Sequence, residues 1–306
     1  MHSACMKPVP AVAALLLVAL SLSLSQAAPL QIVASFLPLY ATTKSIVGDR
    51  AEVSQLARAG VGPHEFAPKP SDLKTLAGAD LLVVNGVGLE EWLDKTVKEV
   101  GSAKLVVVNA SAGIAARPNP ATLPVPDGVK SDDEGDSGAN PHVWLDPVLE
   151  KKQAANILAA VEKADPANAA YYAANAQAYA AKLDALDADF RALFAGLKET
   201  NLITFHDAFP YFAARYHLHY LGSIEEFPEK APSPRALAHV VDLIKQHHVT
   251  VLFAEEGYEP KLLRTLAAQT GAVVSEIDTL EVGEPDAGAY LTRMRANLDA
   301  LKKAWQ

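Results

Sequence analysis

Residues 165–197 read DPANAAYYAANAQAYAAKLDALDADFRALFAGL, and this stretch decides the fold. Asp165-Pro166 is a helix-start signal, and nothing interrupts the helical pattern before Gly196. Tyr172, Ala176, Tyr179, Leu183, Leu186, Phe190, Leu193 and Leu197 fall at alternating spacings of four and three, one continuous apolar seam. Residues 151–200 hold 18 alanines and a single proline. A helix of roughly 30 residues spans about 45 Å at 1.5 Å per residue, longer than one small domain requires. We read residues 165–197 as a rigid strut joining two lobes. The alternative is a coiled-coil dimerisation helix.

On either side the same rhythm repeats. Before the strut, short apolar strands are expected at Leu30–Ser35, Ala51–Leu56, Asp80–Val84 and Lys104–Val108. Helical patterns fall at Leu39–Val47, from an N-cap at Ser71-Asp72, and at Leu89–Val97. After the strut, strands are expected at Leu202–Phe205, Leu218–Gly222, Val249–Ala254 and Ala272–Ile277. They alternate with helices over Ala208–Tyr216, Ser233–Gln246 and Glu259–Thr270. Fully apolar strands alternating with helices imply parallel, doubly wound sheets. The expected class is α/β: two doubly wound lobes with parallel sheets joined by one long interdomain α-helix. The boundaries are 28–164, 165–197 and 198–306.

The first 27 residues read as an address. Lys7 precedes an apolar run, Ala11–Leu24, of 14 residues. That is short for a membrane span of about 20. Ser25-Gln26-Ala27 then offers small residues at −3 and −1 of a cut after Ala27, a secretory signal peptide. Cleavage removes Cys5, the one cysteine of the 306 residues, leaving an exported chain free of stray disulfides. The expected setting is a bacterial periplasm. Arg117–Ala139 carries four prolines and the acidic residues Asp132, Asp133, Glu134 and Asp136, and should be a mobile acidic loop.

Composition excludes several classes. The chain is 50% hydrophobic and 21% charged, an ordinary globular balance. A net charge of −9 without a Lys/Arg run speaks against nucleic acid. A single cysteine excludes a thiolate zinc site. Gly86-Val87-Gly88 follows a strand, but Glu90 and Glu91 would occupy the place a pyrophosphate needs. With 7% aromatic residues the chain is poor in platforms for a sugar or peptide.

The nine histidines are the remaining strong nitrogen ligands. His64 lies in a loop (Gly62-Pro63-His64-Glu65-Phe66). His142 lies in Asn140-Pro141-His142-Val143-Trp144-Leu145-Asp146-Pro147. His206 directly follows a strand, and Asp278 follows the strand ending at Ile277. Ligands of open α/β sheets bind beyond the carboxyl ends of strands, so these four residues are candidates to converge. Three imidazoles and a carboxylate make a tetrahedral set suited to Zn2+, with Mn2+ the alternative. His217, His219, His239, His247 and His248 have no matching set, and His2 leaves with the signal. Glu65 is a competing oxygen ligand or a solvent-facing neighbour. Trp144 is expected to pack behind His142.

These segments resemble the metal-binding proteins of ABC transporters, in particular the zinc- and manganese-uptake group (cluster A-I). The resemblance rests on Pro63–Phe66 with Pro68–Asp72, on Ala79–Glu90, on Asn140–Pro147, and on Phe205-His206-Asp207-Ala208-Phe209. It continues through Phe253-Ala254-Glu255 and Ile277–Leu280, covering almost the whole exported chain in order. It implies two α/β lobes joined by a long helix, one metal in the cleft, His64, His142 and His206 as ligands, and Asp278 as the fourth. It further implies capture of Zn2+ for a cognate ABC permease in the inner membrane, with a periplasmic zinc chaperone as a further partner and the chain a monomer. Manganese-type members carry a carboxylate where His206 stands, and nitrogen there favours zinc. Many zinc-type members have a His-rich loop before the second ligand, and here that loop is acidic. The competing class is a secreted zinc hydrolase, with three ligands and a water on the metal. No HExxH, GxSxG or paired catalytic carboxylates occur, so an enzyme is not expected.

Overall fold

The computed structural model describes residues 28–118, 138–197, 200–224, 234–255 and 261–305. The signal segment and nearly all of the acidic stretch lie outside the described residues. In the first half, β1 (Leu30–Ala34), α1 (Leu37–Val47), β2 (Ala51–Gln55), α2 (Pro70–Gly78), β3 (Leu81–Val84), α3 (Leu93–Val100) and β4 (Val106–Asn109) follow one another. Their strands form a parallel sheet of order β2-β1-β3-β4. The apolar run of β3 is buried at all four residues. The equally apolar β4 exposes Val106 and Val107, because it is the sheet edge. α2 starts two residues earlier than an N-cap at Ser71 implies. Pro70 opens it and the Asp72 carboxylate accepts the Lys69 amide, so Ser71 lies inside the first turn.

A two-residue antiparallel ribbon, β5 (Arg117–Pro118) with β6 (Ala139–Asn140), draws together the two ends of the acidic segment. A 3-10 turn over Val143–Leu145 leads into α4 (Pro147–Ala164). Asp146 caps α4, its carboxylate accepting the Val148 and Leu149 amides, with Pro147 in the first turn.

The long helix is α5 (Ala169–Ala195), 27 residues preceded by a 3-10 turn at Pro166–Asn168. Its buried face is Tyr172, Ala176, Tyr179, Leu183, Leu186, Phe190 and Phe194. The seam expected from the sequence therefore holds up to Phe190, after which Phe194 replaces Leu193. The helix lies between the two halves as expected and packs along its length against α1, α4, α6 and α9.

The second half runs β7 (Asn201–Thr204), α6 (Pro210–Tyr216), β8 (His219–Ser223), α7 (Pro234–Gln246), β9 (Val251–Glu255), α8 (Lys261–Thr270), β10 (Val273–Ile277) and α9 (Ala289–Trp305). Its parallel sheet has the order β10-β9-β7-β8. His217 ends α6 in the left-handed region, φ 57°, which accounts for one of the unmatched histidines.

One apolar cluster runs from Ile32, Val83 and Leu76 in the first half, through Tyr179, Leu183 and Phe190 of α5, to Leu202, Phe212 and Phe253 in the second. At about 1.5–3 kcal/mol for each large apolar side chain fully buried, this shared core holds the halves in register. α4 and α9, which the strand–helix alternation does not announce, join α1 and α5 in building it.

Candidate metal centre

Three histidines and one glutamate meet where the two halves face each other. The ligand-capable atoms of His64, His142, His206 and Glu281 all lie within 4.8 Å of one another. His64 comes from the loop after β2, His142 from the turn before α4, His206 from the residue but one after β7, and Glu281 from the segment between β10 and α9.

The separations are chemically specific. His142 Nε2 lies 3.2 Å from His64 Nε2 and 3.2 Å from His206 Nε2. Glu281 Oε1 lies 3.6, 3.0 and 3.4 Å from the Nε2 atoms of His64, His142 and His206. A tetrahedral centre with bonds of about 2.0–2.1 Å has edges of about 3.3 Å. Five edges of such a tetrahedron are thus in place. Glu281 Oε1 is buried without a hydrogen-bond partner of ordinary geometry among the described residues. A buried carboxylate oxygen facing three nitrogens is what a bound cation would satisfy.

Each buried imidazole is aimed by a partner on its other nitrogen. Asn140 Oδ1 lies 3.0 Å from both the backbone amide and Nδ1 of His142. The Asn140 side chain then donates to the Asp207 carbonyl at 2.6 Å, tying the first half to the second. His206 Nδ1 is in close contact with Glu255 Oε2, and both Glu255 oxygens accept the His206 amide at 3.2–3.3 Å. Glu255 is buried at the end of β9. With Nδ1 held by these acceptors, Nε2 faces the centre, the usual carboxylate–histidine–metal arrangement, in which an arriving metal displaces any Nε2 proton.

Burial pushes the His142 imidazole down to about 3, against the pull of Glu281, so this ring is neutral and ready to donate. Burial also disfavours charge on His206, but Glu255 and Glu281 outweigh it and raise that imidazole well above its usual range. Burial would raise Glu281, yet the three imidazoles hold it well below the ordinary carboxylate range. Trp144 is fully buried behind His142, ring centroids 5.1 Å apart. Its indole N–H donates to the Thr279 carbonyl at 2.8 Å.

The structure brings together three of the four residues expected from the sequence and leaves the fourth outside the group. Asp278 is not in the group. Its Oδ1 accepts Arg293 Nη2 at 2.7 Å and the Leu280 amide at 2.7 Å, and its Oδ2 is gripped by Arg293 Nε. The carboxylate in the group belongs to Glu281, three residues on. Leu280 adopts φ 65°, a left-handed backbone that costs a non-glycine residue about 1–2 kcal/mol. Glu281 follows this reversal and is buried in the group, 4% exposed. Glu65 is solvent-exposed and outside the group. Sequence reasoning assigned no role to Glu255 or Glu281. The available signals were their place at or soon after strand ends and, for Glu255, its position in a segment that carries the family resemblance.

Comparison with known proteins gives the family. Residues 32–304 match the family described as ZnuA, zinc-uptake complex component A, periplasmic. The chain is 36% identical over 285 residues to the high-affinity zinc uptake system protein ZnuA of Bacillus subtilis, covering 89% of this chain and 86% of that one. It is 31% identical over 284 residues to the zinc-binding protein AdcA of Streptococcus pyogenes, covering 89% of this chain but only 55% of that longer protein. Among solved structures, a Zn(II)-bound variant of AdcAII from Streptococcus pneumoniae superposes with a TM-score of 0.79 at 28% identity, covering 91% of this chain and 99% of that one. With two parallel α/β sheets flanking a long central helix, and a family match across nearly the whole described chain, this protein belongs to the ZnuA family of substrate-binding transport proteins.

Proposed function

We propose that this protein captures Zn2+ outside the cytoplasm with His64, His142, His206 and Glu281 and hands it to an ABC permease in the inner membrane. The observation that carries the reading is the convergence of three imidazole nitrogens on one orphaned carboxylate oxygen at tetrahedral spacing. Four protein ligands close the coordination sphere, which leaves no open position for a catalytic water and supports binding without turnover. Three nitrogens with one oxygen favour Zn2+ over Mn2+ on softness grounds. His142 and His206 are buried, whereas the His64 side chain remains 16% exposed. His64 is therefore the ligand through which the ion is first met and last released.

In this reading residues 28–164 and 198–306 are the two lobes, the ion seals the cleft between them, and docking on the permease disturbs that seal. The first 27 residues direct export, and the chain works as a monomer. The acidic stretch between Arg117 and Ala139, lacking histidine, attracts cations by charge alone.

Competition decides the metal. Metal-free protein is titrated anaerobically with Zn2+ and Mn2+ together, and bound metal is read by mass spectrometry. One equivalent of Zn2+ per chain, retained against excess Mn2+, is expected. Preferential retention of Mn2+ would overturn the zinc assignment.

A further inference from the structure

Asp278, left out of the metal group, has a different task. We propose that Arg293, locked to Asp278, is a positioning residue that holds Glu281 at the metal centre before the ion arrives. The inference rests on the zinc-binding reading and goes beyond it, because neither Arg293 nor Asp278 touches the ion.

Glu281 sits in the segment between β10 and α9, with no secondary structure of its own to fix it. The residues around it are tied instead. The Asp278 amide donates to Asn297 Oδ1 at 2.8 Å, and Asn297 Nδ2 donates back to the Asp278 carbonyl at 2.7 Å. The Thr279 carbonyl accepts Trp144 Nε1, and the Leu280 amide donates to Asp278 Oδ1. Arg293 spans the ligand. Nε and Nη2 grip Asp278, three residues before Glu281, while Nη1 donates to the Val282 carbonyl, one residue after it, at 2.6 Å. Only a planar guanidinium offers donors in the fork this bridge needs, and a lysine could serve one side only. Leu280 is held in the left-handed region within this span. Such a backbone persists only where its surroundings over-determine it. Arg293 and Asn297 both project from α9, which packs on α1, α5 and β10. The ligand loop is thereby referenced to the helical spine rather than to its own flexible length.

The pairing also settles the charges. Asp278 occupies two donors of the guanidinium, so Arg293 grips the loop without placing an unbalanced cation beside the incoming metal.

A double-mutant cycle on the full-length exported protein tests this. Zn2+ affinity is measured by competition with a chromophoric chelator for wild type, Arg293→Met, Glu281→Gln and the double variant. Outer-shell losses of roughly tenfold to a hundredfold are typical, and Arg293→Met is expected to fall there. In the Glu281→Gln background the same substitution should cost little, because its effect runs through Glu281. Co2+ bound to Arg293→Met should show visible bands shifted from those of wild type, because water replaces the carboxylate among the four donors. Arg293→Lys should recover only part of the affinity. Asp278→Asn, which keeps the side-chain shape, serves as the second variant should Arg293→Met fail to fold, and should reproduce the loss. An equal loss with and without Glu281, or wild-type affinity in both clamp variants, overturns the proposal. Failure of wild type itself to bind Zn2+ overturns the zinc reading instead.

Discussion

The two sheets share one topology and put it to different uses. Read from the outer strand inward, both have the order second-first-third-fourth: β2-β1-β3-β4 in the first half and β8-β7-β9-β10 in the second. Each has its switch point between its first and third strands, and each places a buried glutamate there. In the first half, Glu90 accepts Ser35 Oγ at 2.8 Å, the Asn85 amide at 2.7 Å and the Gly86 amide at 2.9 Å. The carboxylate is consumed by the protein's own donors and fills the place an anionic ligand would take. In the second half, Glu255 grips His206, which passes the electron density to Nε2 and the metal centre. The same crevice is plugged in one half and turned into a ligand support in the other. One residue in contact decides which: Ser35 gives Glu90 a dead end, and His206 gives Glu255 a second face.

The largest expected effect breaks this comparison at its active side. His206→Ala removes a ligand and orphans Glu255, and Zn2+ affinity should fall by more than the roughly hundredfold that marks the upper range for outer-shell changes. Isothermal titration reads it, and unchanged affinity would exclude His206 from the site. Next comes the matched pair. Glu255→Gln keeps shape but removes the charge behind His206, and should weaken Zn2+ roughly tenfold to a hundredfold. Glu90→Gln should leave Zn2+ affinity unaltered while lowering stability by about 1–3 kcal/mol, since buried amides lose a charged acceptor. Chemical denaturation and metal competition separate the two. A metal defect in Glu90→Gln would dissolve the contrast.

The smallest effect concerns a third buried glutamate that serves neither role. Glu150 of α4 contacts Thr42 of α1, and Thr42 Oγ1 lies 3.0 Å from the Tyr179 hydroxyl of α5. Burial raises its carboxyl to about 8, despite opposing hydrogen bonds from Thr42 and Tyr179. A carboxyl whose folded pKa exceeds its unfolded value contributes its stability fully below the unfolded pKa, and that stability is lost as pH rises through about 8. The melting temperature of the metal-free protein should therefore decline from pH 5 to pH 8.5. Glu150→Gln should flatten that decline, leaving the variant about 2–4 °C above wild type at the alkaline end. A parallel decline in both proteins would assign the pH dependence elsewhere.

Much of the fold was legible because burial leaves periodic traces. The four-three seam of α5 and the unbroken apolar runs of β3 and β9 report faces that water never reaches. β4 shows the limit of that logic: its valines look as buried as those of β3, but position at the sheet edge exposes them. The joining helix is as expected, but the number of helices packed on it was not legible, because periodicity reports which side of a helix is buried and not how many neighbours cover it.

At the site, three histidines in loops and at a strand end were visible as residues without a bland role. The carboxylate that joins them was not. Asp278 has the conspicuous place directly after Ile277, yet a strand-end position gives a side chain no destination. Arg293, fifteen residues on in α9, claims Asp278, and the left-handed turn at Leu280 precedes the delivery of Glu281 to the histidines.

By itself, then, the sequence determined two α/β halves, the long helix between them and three imidazoles, since composition and period follow from local burial. Only the tertiary structure decided which carboxylate joins them and which stand behind. Those choices depend on partners brought from 15 to 217 residues away, whose meeting is set by packing and not by spacing along the chain.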